Sequence, residues 1–145
     1  MSTTSRSIAA TPEQVWSVLA DGWLYPLFVV GAARMRSVDE AWPAVGSQLH
    51  HSVGAWPLMI DDTTEVLEVD PNKRILLLAR GWPIGQAHVE IVLRPDGPST
   101  VVTMVEQATA GPGALIPKPV QDAQLHARNR EALQRLAYVV EGRTQ

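Results

Sequence analysis

The sequence predicts an α+β domain: a curved, seven-stranded antiparallel sheet wrapped around one long C-terminal helix, with two short helices after the first strand. Three observations lead there. From about Met35 to Ala108 the chain breaks into six strand-like runs joined by short turn sequences, and connections that short join antiparallel neighbours. Residues 119–141 repeat apolar side chains at spacings of three and four, the period of a helix face. Finally, 145 residues with 46% apolar and 19% charged content suit one packed domain, 1–145.

Each element has its own signal. Ser5 to Ala9 reads as an opening strand. Thr11-Pro12-Glu13-Gln14 is a helix start: Thr11 caps, Pro12 suits the first helical position, and Gln14 completes a capping box. Val15, Trp16, Val18 and Leu19 give that helix an apolar stripe, and Asp21-Gly22 stops it. Trp23 to Val30 suggests a second short helix, with Pro26 tolerated only in its first turn. The six further strands are expected near 33–39, 46–55, 62–69, 74–80, 86–94 and 99–108. Asp70-Pro71-Asn72 and Pro95-Asp96-Gly97 supply turn chemistry between them. Ala87 to Arg94 alternates most cleanly, with Ala87, Val89, Ile91 and Leu93 on a dry face and His88, Glu90 and Arg94 on a wet one. In the last helix, ended by Gly142, Leu125, Asn129, Ala132, Leu133, Leu136 and Val140 form the inner stripe. Arg128, Arg130, Glu131, Gln134 and Arg135 are assigned to its outer face.

Composition narrows the function. The chain has no cysteine, which removes disulfides, thiolate metal sites and cysteine nucleophiles. A net charge of −3 lacks the basic footprint of a nucleic-acid binder. No apolar run reaches the roughly 20 residues of a membrane span, and the start lacks a signal-peptide core, so a soluble cytoplasmic protein is expected. The histidines have no metal-binding spacing: His50 and His51 are adjacent in a strand and point to opposite faces. Neither metal nor cofactor is expected. A single helix is narrower than a seven-stranded sheet, so a cavity between them is expected, open to a small hydrophobic ligand and held in a monomer or homodimer.

The run Ile8-Ala-Ala-Thr-Pro-Glu-Gln-Val-Trp-Ser-Val-Leu-Ala-Asp resembles the opening of the SRPBCC superfamily, the START-like or helix-grip proteins. Gly46-Ser-Gln-Leu, Glu65-Val-Leu-Glu-Val-Asp-Pro-Asn-Lys-Arg-Ile, Arg94-Pro-Asp-Gly and Thr100-Val-Val-Thr-Met carry the same likeness over nearly the whole chain. It is nearest to the bacterial polyketide cyclase/dehydrase-like branch. The resemblance implies an apolar cavity for a lipophilic or aromatic molecule, and transfers no catalytic residues. Three functions follow as expectations: a binder of a lipid- or polyketide-like molecule, a cyclase, aromatase or dehydratase, or an interaction module (regulatory or toxin-like) with a vestigial cavity.

Residues facing such a cavity are read from the pattern. Leu49, His51 and Val53 share one strand face; Val89, Ile91 and Met104 come from later strands; Leu125, Asn129 and Leu133 come from the helix. His51 is either a hydrogen-bonding or acid–base group toward a ligand, or a core histidine satisfied by a neighbour. The family register turns Val102, Met104 and Glu106 inward. Glu106 is then a general acid or ligand anchor, or an end-of-strand carboxylate paired with Arg80. As an enzyme, the protein would use His51 as base and Glu106 as acid. Asn129 occupies a place where Leu or Ala is the default, so it bonds a neighbour or a polar ligand group. Tyr25 is open between cavity and surface.

Three of the five tryptophans precede proline: Trp42, Trp56 and Trp82. In a meander, Trp56, Trp82 and the Gly111–Pro119 loop with Leu115 and Ile116 fall at one sheet end, and Trp42 at the other. That rim is either the cavity mouth, gated by the loop, or a seal on the core edge.

Overall fold

The computed structural model describes residues 2–28, 32–53, 60–81, 85–110, 115 and 117–143. Strand β1 (Ser2–Ile8) leads into helix α1 (Pro12–Leu19). The capping box forms as its residue types require: Thr11 Oγ1 accepts from the Gln14 amide at 3.2 Å, and Gln14 Oε1 accepts from the Thr11 amide at 2.8 Å. Of the expected second helix, Val29 and Val30 lie outside the described residues, and the described part divides in two. Gly22–Leu24 forms a 3₁₀ turn, capped by Asp21 Oδ1 on the Trp23 amide at 3.2 Å, and α2 is the single turn Tyr25–Phe28. Pro26 falls within that turn, the position where its missing N–H does least harm.

The remaining strands are β2 (Ala32–Val38), β3 (Gln48–Val53), β4 (Ile60–Asp70), β5 (Arg74–Gly81), β6 (Gly85–Asp96) and β7 (Ser99–Ala110). They form one antiparallel sheet in the order β1-β7-β6-β5-β4-β3-β2. The β6–β7 hairpin turns at Gly97, whose φ of 60° suits a residue without a Cβ. Helix α3 runs from Lys118 to Arg143 and so passes through Gly142, the expected stop. A glycine inside the last turn costs little when the strong packing lies earlier in the helix.

The core sits between the sheet's inner face and α1 and α3. Leu49, Val66, Ile75, Leu77, Ile91, Leu93, Val102 and Met104 meet Val15, Val18 and Leu19 of α1 and Ala132, Leu133, Leu136, Ala137 and Val140 of α3. The backbone of α3 runs closest to β1 and also packs on α2, whereas β4, β5 and β6 stand further off. Long side chains, Ile75, Leu77, Ile91 and Met104 among them, fill the inner face in the middle of the sheet. Among the described residues, no helix is long and apolar enough to cross a membrane.

Candidate functional site

Ladder register shows where those long side chains stop. Near the Asp96 turn the inner face carries Ile75 opposite Ile91, then Leu77 opposite Val89. One step on, Thr64 faces Ala79, Ala79 faces Ala87, and Ala87 faces Ala108, an alanine row across three adjacent central strands. Because side chains alternate between faces, Ala79, Ala87 and Ala108 share the face of Leu77, Val89 and Glu106. All three alanines and Val89 are only half-buried, although β5, β6 and β7 are interior strands. The backbone of α3 runs nearer to β1 than to these strands.

Polar side chains border this row on both sides. On one side, His51 Nε2 lies 2.9 Å from Thr64 Oγ1, and the Tyr25 hydroxyl shares the same oxygen at 3.3 Å. The Tyr25 and His51 rings stack at 5.8 Å and 17°, while Phe28 meets Tyr25 edge-on. Burial pushes the Tyr25 phenol up and the His51 imidazole down from their ordinary values. Among the described residues, the His51 Nδ1 is buried without a partner.

On the other side, Glu106 is 5% exposed and paired with Arg128 of α3. Burial pushes its carboxyl up from the ordinary value, and the Arg128 guanidinium opposes that shift. Asn129 leans toward the same carboxyl closely enough to favour its charged form, yet its Nδ2 makes no hydrogen bond of good geometry. The two sides communicate through Tyr25, whose phenol feels both Glu106 and Arg128.

Several expectations change here. Glu106 pairs with Arg128, a residue assigned to the outer helix face; its angular position is the flank of the inner stripe, where a long side chain bends inward. Arg80 does not reach Glu106. It stands on the opposite sheet face, donating to Thr63 Oγ1 at 3.1 Å and lying 3.7 Å from Glu65, because it follows Ala79 and so reverses face. The charges that His51 feels are Asp62, Arg36 and His50. Thr64 and Arg128 were missed as members of the site. Parity with Val66 was the available signal for Thr64, and none stood out for Arg128.

Other expected residues are placed as follows. Leu49, Ile91, Met104 and Leu133 are core, and Leu125 is buried on α3. Val53 pairs through its backbone with Ala32 and Ile60 at the sheet end. Leu115 is 85% exposed. Trp56, Trp82 and Ile116 lie outside the described residues. Trp42, at the other sheet end, donates its indole N–H to the Leu19 carbonyl at 3.3 Å. His50 bonds Asp39, His88 is exposed, and His126 meets Thr4 at 3.2 Å. Among the described residues, no group of three His, Asp or Glu is arranged to hold a metal ion. A groove between α1 and the β2–β3 turn includes Asp21 and Asp39, but these acids are engaged in capping Trp23 and in bonding His50 and the Gln48 amide.

The model of a family described as polyketide cyclase/dehydrase and lipid transport matches residues 2–141. The chain belongs to that family. The START-like likeness read from the sequence therefore holds, and solved structures share the fold over nearly the whole chain. Protein NE0264 from Nitrosomonas europaea superposes with a TM-score of 0.76 at 18% identity, covering 98% of this chain and 94% of that one. CV1439 from Chromobacterium violaceum gives 0.69 at 20% identity, covering 96% of each chain. DynU16, a protein of the dynemicin biosynthetic locus, gives 0.68 at 22% identity over 97% of this chain and 47% of that one. At such identities the likeness establishes the fold alone. No curated protein matches the chain.

Proposed function

We propose that this protein binds a small hydrophobic or aromatic molecule, lipid- or polyketide-like, between the sheet and α3. The observation that carries the reading is the half-buried alanine row Ala79–Ala87–Ala108, set beneath a helix whose backbone stays near β1. Sites for small molecules combine apolar walls with a few placed polar groups, and Tyr25, His51, Glu106 and Asn129 supply the latter. The family, which includes cyclases, dehydrases and lipid transporters, supports a greasy guest.

The test is titration with the neutral dye Nile red, paired with native mass spectrometry of protein purified gently from its host. Wild-type protein is expected to bind the dye saturably at one site. Ala87→Phe projects a ring into the space above the row and is expected to weaken binding at least about ten-fold while the melting temperature holds. Equal binding by the variant refutes the reading.

One observation favours a second reading, a cyclase- or dehydratase-type enzyme: burial raises the Glu106 carboxyl and lowers the His51 imidazole, the directions that suit an acid and a base near neutrality. Glu106→Gln is then expected to abolish turnover of a polyketide-like substrate and to leave binding in place.

A further inference from the structure

The side of the site formed by β1, β7 and α3 has more hydrogen-bonding capacity than its protein neighbours use. Asn129 is 2% exposed, and beyond leaning on the Glu106 carboxyl its Nδ2 makes no hydrogen bond of good geometry among the described residues; Ser2 is 4% exposed, and among the described residues its Oγ has no partner. The two flank one residue. Ser2 sits opposite Glu106 in the β1–β7 ladder, and Asn129 leans on the Glu106 carboxyl from α3. Leaving a buried donor unmatched is unfavourable, and the fold carries two such groups at one place, beside the alanine row.

The chemistry of these groups limits what they accept. An amide Nδ2 only donates, so its partner must be an acceptor oxygen and not an ammonium or other cation. A hydroxyl such as Ser2 Oγ donates as well as accepts. A guest carboxylate is disfavoured on two counts. It would sit against Glu106, in surroundings where like charges are weakly screened, and the adjacent cation Arg128 is already engaged with Glu106.

Building on the binding reading above, we infer that Asn129 and Ser2 form an anchor for a neutral acceptor oxygen, a ketone, quinone or phenol, on a hydrophobic guest. The anchor selects uncharged oxygenated guests over fatty-acid-like anions.

Competition against Nile red with three probes of one shape tests this: ethylnaphthalene, acetylnaphthalene and naphthoate. The ketone is expected to compete about five-fold better than the hydrocarbon, the gain of one net hydrogen bond, and naphthoate worst of the three. Asn129→Leu is expected to erase the ketone's advantage while ethylnaphthalene stays within about two-fold, which also reports that the variant is folded. Asn129→Ala serves if the leucine overfills. Naphthoate competing best, or all three probes shifting together in both variants, overturns the anchor even where Nile red binding and its loss in Ala87→Phe hold. Failure of Nile red and every probe to bind wild-type protein overturns the binding reading and the anchor with it.

Discussion

Replacing Arg128 with Met isolates what the Glu106 pair contributes. Met retains most of the apolar stem and removes the guanidinium, leaving a 5% exposed carboxyl without its cation. That carboxyl escapes by taking up a proton, which bounds the cost. Each pH unit above the ordinary value of 4.5 is worth about 1.4 kcal/mol, so the ceiling at pH 7 is about 3.4 kcal/mol. Arg128's side chain is 38% exposed, and solvent weakens its hold, which brings the expected loss to about 2 kcal/mol. For a domain of this size that is a fall in Tm of roughly 6 °C. The sign with pH is fixed. A carboxyl raised above its unfolded value subtracts stability as pH rises from about 4.5, and removing Arg128 raises it further, so the deficit widens toward neutrality and shrinks below about 1 kcal/mol at pH 5. Urea denaturation of wild type and Arg128→Met from pH 4.5 to 8 measures both quantities. In the Glu106→Gln background the same change should cost little and show no pH slope. A deficit equal at pH 5 and pH 7, or one that persists in the Gln background, refutes the electrostatic account.

Two other perturbations probe the scaffold. Thr64→Val keeps the shape but strands His51 Nε2 and the Tyr25 hydroxyl, with an expected loss of about 1–3 kcal/mol by chemical denaturation, against under about 1 kcal/mol for Tyr25→Phe, which gives up only the longer bond. Gly22→Ala would drive a Cβ into Leu49 Cδ2 and place it 2.8 Å from Val38 Cγ1, so overpacking should cost roughly 1–3 kcal/mol; an unchanged midpoint would show that β2 and β3 yield freely there.

Local chemistry was legible wherever a residue acts on its near neighbours. The Thr11–Gln14 capping box, the turns at Asp70 and Gly97, the alternation of β6 and the inner stripe of α3 all stand as their residue types require. His51, Glu106 and Asn129 were readable as polar residues on apolar faces, because parity along a strand and angle around a helix decide which way a side chain points. Their partners were not readable. Arg80 on β5 was the partner expected for Glu106 and Arg128 on α3 is the partner found, because the pairing depends on the distance between a helix and a strand. The alanine row was equally hidden, since Ala79, Ala87 and Ala108 are unremarkable within their own strands and become a row only when three ladders are in register.

From its residues alone the chain determined the order of its elements, the faces they bury and its family, because capping, turn chemistry and periodicity act over a few residues. Tertiary structure decided that α3 runs near β1, that alanines line up where the helix stands off, and that Arg128 answers Glu106. Each of these depends on contacts between segments far apart in sequence, whose relative placement comes from packing of the whole domain rather than from any local preference.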